Sequence, residues 1–457
     1  MHISGYVCYD IHMKSRLLSI ALMLCIIILS ACATTNTPPK TNKTPVPTMC
    51  VRSGEPHAVV SNAVAPVAAQ GNWPTFRGNS NRDGAAPADS SGSLLHLAWT
   101  FCTGASVFSS PIVQNGMVYI ASTDTTLTAL DIQSAKMLWQ IQADDAFFGT
   151  PALVNGTLYV ASLSGVIYAI NAQDGFVRWH TQLDTPGAKI WSSPAVANGL
   201  LIIGAASTLS ENPKKSGQVL AYDTTTGKLR WRVYVEQGGK AGGGVWSSPA
   251  IDTASNPVFV GTGDPDDGVE ALNLKTGHLL WHWRSVVQDV GDTDVGAGPL
   301  LYHTPKGLFR VVVGGKNGNI YTFDAQTGHL LWHMRVGEHV FSSPAFANGM
   351  IYAVGVVGQK ATAWGLDAQT GVAHWHHDLP VIVYASPAIV GQTLYLPLGD
   401  GFELGDGGIL VLNAINGQQL QYTNLHNTLS SSPAVLPSWL LVGAHDGNLY
   451  AFVRQLH

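Results

Sequence analysis

From about residue 109 to the end of the chain, apolar and polar positions alternate in short runs, each cut by Asn-Gly, Asp-Gly, Thr-Gly or a similar pair. Alternation with period two predicts β-strands, and such pairs predict hairpins, because these residues tolerate the positive φ that tight turns require. Residues 151–179 serve as a template. They read as a strand P-A-L-V (Pro151 to Val154), a turn at Asn155-Gly156, T-L-Y-V-A-S, a break at Ser164-Gly165, V-I-Y-A-I-N, a turn at Asp174-Gly175, and F-V-R-W. The first turn slot recurs at Asn115-Gly116, Asn198-Gly199 and Asn348-Gly349, and the last at Thr226-Gly227, Thr276-Gly277, Thr327-Gly328, Thr370-Gly371 and Asn416-Gly417.

Eight prolines open such units, at Pro111, Pro151, Pro194, Pro249, Pro299, Pro344, Pro387 and Pro433, usually as S-S-P-A-[VIF]. Seven units close on an aromatic: Trp139, Trp179, Trp231, Trp281, Trp332, Trp375 and Tyr422. The eighth lacks one, and Trp99 in L-L-H-L-A-W-T-F stands ahead of the first unit. A repeat of about 40–50 residues with strand content predicts an all-β, eight-bladed β-propeller of four-stranded antiparallel blades. The displaced Trp99 predicts that the N-terminal strand closes the ring, with residues 94–101 beside Gly447 to Val453.

The unit A-Y-D-T-T-T-G-K-L-R-W (Ala221 to Trp231), and less fully T-F-D-A-Q-T-G-H-L-L-W (Thr322 to Trp332), resembles the repeat A-x-D-x-x-T-G-x-x-x-W of PQQ-repeat, quinoprotein-type propellers. The resemblance covers roughly residues 73–456.

Charged residues are 12% of the chain, well below an ordinary soluble domain, and the net charge of −5 leaves no basic stripe. Nucleic acid is therefore not an expected partner. Lys14 and Arg16 precede an apolar run from Leu17 to Leu29 that ends in L-S-A-C at Cys32. The run is short for a membrane span and has the layout of a secretory signal; L-S-A-C resembles a bacterial lipobox, which implies lipidation of Cys32 and an extracytoplasmic, membrane-anchored protein. The expected organisation is a lipoprotein signal peptide over 1–31, a flexible Thr/Pro-rich tether over 32–70 and the propeller over 71–457. With Cys8 and Cys25 removed and Cys32 acylated, Cys50 and Cys102 form either a disulfide or two free thiols. No C-x-x-C-H haem-attachment motif occurs.

In a propeller of such blades the loops between second and third strands share one face with the blade-to-blade connections. The long polar connections of this chain all fall there: 205–217, 236–244, 263–268, 286–298 and 399–408. Elaborated loops on a rigid scaffold mark that face as the candidate site. Several segments on it resemble the cofactor site of quinoprotein alcohol dehydrogenases. G-G-G-V-W (Gly242 to Trp246) is similar to the family's G-G-G-x-x-W, which implies Trp246 as the floor beneath PQQ. Trp246 also occupies the slot before S-S-P held elsewhere by Phe108, Trp191 and Phe341, and there it could simply fill space. V-G-T-G-D-P (Val260 to Pro265) resembles G-x-G-N-P, which implies Asp264 as a Ca²⁺ ligand in place of asparagine, a hard oxygen for a hard cation. Q-D-V-G-D-T-D (Gln288 to Asp294) is similar to H-D-x-W-D-x-D and implies Asp289 as the catalytic base, though an acidic turn would look the same. G-G-K-N-G-N implies Lys316 at the quinone oxygens, in a slot that holds Thr123, Leu163 and His445 in other units. Glu211 lies near the family's calcium-binding glutamate without aligning residue for residue. The adjacent Cys-Cys pair of many quinoprotein dehydrogenases is missing.

Two functions follow from the resemblance. One is an oxidoreductase using PQQ and Ca²⁺ to oxidise a small-molecule alcohol or sugar. The other is a non-catalytic scaffold or ligand-binding propeller similar to the BamB-type assembly lipoproteins, with an envelope protein as partner. In both, the membrane is contacted through the N-terminal lipid.

Overall fold

A computed structural model describes residues 50, 58–60, 71–87, 93–206, 216–236, 242–264, 267–285, 293–399 and 406–455. Among these there is no helix, and the strands form eight sheets. Blade 1 consists of Ile112–Gln114, Met117–Ala121, Thr126–Asp131 and Met137–Gln142, paired in that order, and blades 2 to 7 repeat the plan. In blade 8 the strands Ala434–Val435, Trp439–Gly443 and Asn448–Gln455 are completed by Leu94–Cys102, with Leu94 opposite Gln455 and Cys102 opposite Asn448. The ring is thus an eight-bladed β-propeller closed by its N-terminal strand. Ala58–Val60, within the stretch read as tether, adds a fifth strand outside Leu94–Cys102.

The repeated residues hold blade to blade. Each closing tryptophan donates its indole N–H to a carbonyl in the last turn of the next blade, as Trp139 to Ala172 at 3.0 Å, Trp231 to Leu274 at 2.9 Å and Trp281 to Ala325 at 2.9 Å. Trp99 of blade 8 makes the same bond to Ile132 of blade 1, at 2.7 Å, which joins the last blade to the first. The glycine of the receiving turn lies under the ring: a Cβ at Gly328 would stand 2.6 Å from Trp281, and its φ is +71°. Glycine meets both demands without strain, and the turn that receives Trp99 carries Ala135 in the equivalent slot, at φ +54°.

The S-S-P motif has two separate duties. Its first hydroxyl stays within the blade, as Ser247 Oγ, which donates to Gly261 O and accepts from Gly261 N–H, both at 2.9 Å. Its second reaches the preceding blade. Thr150 Oγ1 accepts from Ser110 N–H, Ser193 from Thr150, Ser248 from Ser193, Ser343 from Gly298, Ser386 from Ser343 and Ser432 from Ser386, at 2.8–3.0 Å. Blade 5 brings no hydroxyl to this belt, because its residue is Gly298.

Residues 71–86 cross the central channel. Their backbone pairs in turn with the inner strands of successive blades: Trp73 with Val113, Leu153 N–H to Pro74 O, Ile251 to Ser80, Leu301 to Asn81, Phe346 to Asp83 and Ile389 to Gly84. Two fully buried arginines satisfy carbonyls of the opening prolines. Arg82 donates to Pro194 O and Pro249 O, both at 3.0 Å, and Arg77 to Pro344 O at 2.6 Å and to Pro387 O. Burial pushes both guanidinium pKa values down to about 9, so both remain charged at neutral pH. Seen from the loop-bearing face this segment lies beyond the belt and narrows the channel on the opposite side, and the two faces are termed open and blocked accordingly.

Candidate functional site

Eight structurally equivalent positions, three residues before each opening proline, form a ring at the open mouth. They are Phe108, Phe148, Trp191, Trp246, Gly296, Phe341, Tyr384 and Ser430. The six aromatic side chains are all half-buried. Neighbours touch: Phe108 and Phe148 at 5.1 Å between ring centres, Phe148 and Trp191 at 4.5 Å, Phe341 and Tyr384 at 4.5 Å and nearly parallel. The slot that Trp246 shares with Phe108, Trp191 and Phe341 therefore lines the mouth, and filling the slot and facing a ligand are the same placement.

A second ring lies beside the first. In every blade the backbone N–H of one residue at or just beyond the end of the second strand donates to the carbonyl two residues before the first-ring position. The donors are Thr123, Leu163, Ala206, Gly263, Lys316, Val356, Gly399 and His445, and the bond from Lys316 goes to Asp294 O at 2.8 Å. This repeated bond is why a lysine here faces the mouth.

Blades 4 and 5 break the symmetry. Gly296 leaves open the space an aromatic would occupy, and the Lys316 side chain passes it, its Cε 3.9 Å from where a Cβ would stand. Lys316 Nζ reaches Asp294 Oδ2 at 2.5 Å and lies 5.9 Å from the centre of the Trp246 ring. Gly244 and Gly263 back the indole, and a side chain on either would collide with it. Asp294 is 3% exposed and accepts from Asp264 N–H through Oδ1 at 2.9 Å. Asp267, fully buried, accepts from the Thr293 hydroxyl at 2.6 Å. One carboxylate oxygen from each of Asp264, Asp267 and Asp294 lies within 4.8 Å of the others. Three carboxylates so close repel one another, and Lys316 offsets part of that repulsion.

The structure thus brings Trp246, Asp264 and Lys316 to one place. Asp289, Glu211 and Cys32 lie outside the described residues. Cys50 and Cys102 are bonded as a disulfide, with Cα atoms 5.8 Å apart. Asp267 and Asp294 were not singled out from the sequence. Their signal, an acidic loop in each of two adjacent units, becomes specific only once the blades are side by side.

A family model described as "Outer membrane protein assembly factor BamB" matches residues 89–147 and 265–455, more than half of the chain. A second, "Glucose/ethanol/alcohol dehydrogenase, beta-propeller domain", matches residues 182–340, which include the acidic cluster. Quinohemoprotein alcohol dehydrogenase ADH-IIG of Pseudomonas putida is 27% identical over 301 residues, which are 52% of this chain and 41% of that enzyme, so less than half of the relative's length is matched. Among solved structures, quinohemoprotein alcohol dehydrogenase from Comamonas testosteroni superposes with a TM-score of 0.72 at 18% identity, over 84% of this chain and 81% of that one. BamB from Moraxella catarrhalis superposes with a TM-score of 0.61 at 17% identity, over 79% of this chain and 100% of that one. At such identities the superpositions speak for the fold, and the matched repeats with the eight-bladed ring place the chain in the PQQ-repeat β-propeller family, the family of the BamB model.

Proposed function

We propose that this chain is a lipid-anchored, extracytoplasmic quinoprotein-type oxidoreductase that oxidises an alcohol or sugar with PQQ and Ca²⁺. One observation carries the reading: a half-buried indole, a lysine ammonium and three clustered carboxylates meet on the loop-bearing face of the ring. The residues present fit both groups. Asp264, Asp267 and Asp294 offer hard oxygens of the kind Ca²⁺ takes, and their mutual repulsion favours a divalent cation among them. The exposed part of Trp246 offers a flat surface suited to stacking a flat ring.

Bound PQQ supplies the hydride acceptor. Trp246 holds and orients the flat ring, and its glycine-backed face keeps the indole from tilting away. Lys316 places a positive charge beside that ring, where it stabilises negative charge developing as the substrate is oxidised. Asp289 takes the hydroxyl proton of the substrate. The aromatic residues around the mouth exclude water from one side of the site.

The second reading, a BamB-like scaffold that binds an envelope protein, is supported by the family match over more than half of the chain and by the superposition on all of that BamB structure. Titration of the purified protein with PQQ in excess Ca²⁺ separates the two. Saturable binding with dye-linked alcohol oxidation is expected. Asp289→Asn is expected to lower kcat by about 10²–10⁴-fold with quinone binding nearly intact, as when only a general base is lost; Lys316→Ala is expected to weaken both. Absence of binding at micromolar quinone would favour the scaffold.

A further inference from the structure

Where the chain leaves the ring bears on how the molecule sits at a membrane. Cys102 ends the outer strand of blade 8, and the disulfide ties it to Cys50. Cys50 N–H also donates to Asp446 O at 2.8 Å, in the turn between the second and third strands of that blade. Turns of this class, with the blade-to-blade connections, carry Trp246, Asp264, Asp294 and Lys316. The disulfide is therefore on the open face, at the rim across the ring from blades 4 and 5. The blocked face carries the Asn-Gly and Thr-Gly turns.

We infer that the Cys50–Cys102 disulfide pins the anchor tether to the rim of the open face, so that the lipid-anchored molecule turns its open mouth toward the bilayer surface. This rests on the lipid-anchor part of the proposed function and is independent of the quinone. Cys32 precedes Cys50 by eighteen residues. To bring the blocked face to the lipid, the tether would first have to run back along the whole height of the ring. The outer strand Leu94–Cys102 has nine residues and is about 30 Å long at the usual rise per residue. Bringing the open face to the lipid requires no such detour. Whatever enters or leaves the mouth then passes through the thin layer between ring and headgroups.

The test places a fluorophore on either face of one blade. Gln359 and Gln369 are both exposed in blade 6, the first in a turn of the open face and the second in a turn of the blocked face. After residue 31 the only cysteines are Cys32, Cys50 and Cys102, so a thiol introduced by Gln359→Cys or Gln369→Cys is labelled alone. The lipidated chain is bound to phosphatidylcholine vesicles carrying a headgroup acceptor dye. Energy transfer at least about twofold greater from the Gln359→Cys label is expected, given the height of about 30 Å between the two faces. Equal transfer, or more from Gln369→Cys, overturns the inference. In Cys50→Ser/Cys102→Ser the chain is held at this end through the pairing of Ala58–Val60 with Leu94–Cys102, and the ratio is expected to fall without reaching one; an unchanged ratio overturns the role given to the disulfide. Cys32→Ser is expected to leave the vesicles, and if it stays bound the anchor lies elsewhere and the inference falls. A chain that keeps the asymmetry yet binds no PQQ supports this inference and removes only the oxidoreductase reading.

Discussion

Gly296 shows how one residue converts a repeat into a site. Six of its seven counterparts around the ring are residues other than glycine with a ring at the mouth, and here the missing side chain gives Lys316 its route to Asp294 and Trp246. A Cβ at this position meets nothing nearer than Lys316 Cε at 3.9 Å, so a larger residue is tolerated by the backbone and conflicts with the lysine. Gly296→Phe is therefore expected to fold, with a change in stability of about 1 kcal/mol or less in urea unfolding. Its affinity for PQQ, measured by the same titration, is expected to fall at least about tenfold, equivalent to about 1.4 kcal/mol. Wild-type affinity in that variant would show that the position of the ammonium does not matter.

At the level of the element, the S-S-P-A motif looks like a strand-opening signal, and in the fold it is also an inter-blade fastening. Ser386 Oγ accepts from Ser343 N–H at 3.0 Å, and both residues are buried. Ser386→Ala removes an acceptor and leaves a buried amide without it, which costs about 1–3 kcal/mol. A fall of that size in unfolding free energy is expected, with the circular dichroism of the ring retained. No loss would mean that Ser343 N–H finds another partner. The closing tryptophans likewise serve the next blade rather than their own, which is why a unit without one, such as the eighth, must receive it from the far end of the chain.

Across the whole molecule, the decisive element is the segment 71–86, which has no strand-like alternation. It runs from blade to blade along the inner strands. Arg82 makes four hydrogen bonds there, to Pro194 O, Pro249 O, Thr75 Oγ1 and Phe76 O. Replacing it by methionine keeps most of the volume and strands the two proline carbonyls, which come from separate blades. Arg82→Met is expected to cost about 3 kcal/mol or more, since bonds from a charged donor are worth about 1.5–3 kcal/mol each. Thermal unfolding reads the loss, and an unchanged midpoint would show that the segment is held by its backbone pairing alone.

The sequence by itself determined the architecture, because a propeller is written locally: alternation makes the strands, Asn-Gly and Thr-Gly make the turns, and one repeated tryptophan with its receiving glycine docks each blade on the next. Trp99 announced even the closure, since the eighth unit has no closing aromatic of its own. Of the site, Trp246, Asp264 and Lys316 were legible through motif resemblance, each within its own segment. What the tertiary structure alone decided is which of these segments meet. Asp267 and Asp294 are 27 residues apart in two different blades, and their carboxylates approach only because the ring sets blade 4 against blade 5. The arginine segment was equally illegible, for its partners are carbonyls of prolines more than a hundred residues away, and a backbone carbonyl leaves no mark in the sequence.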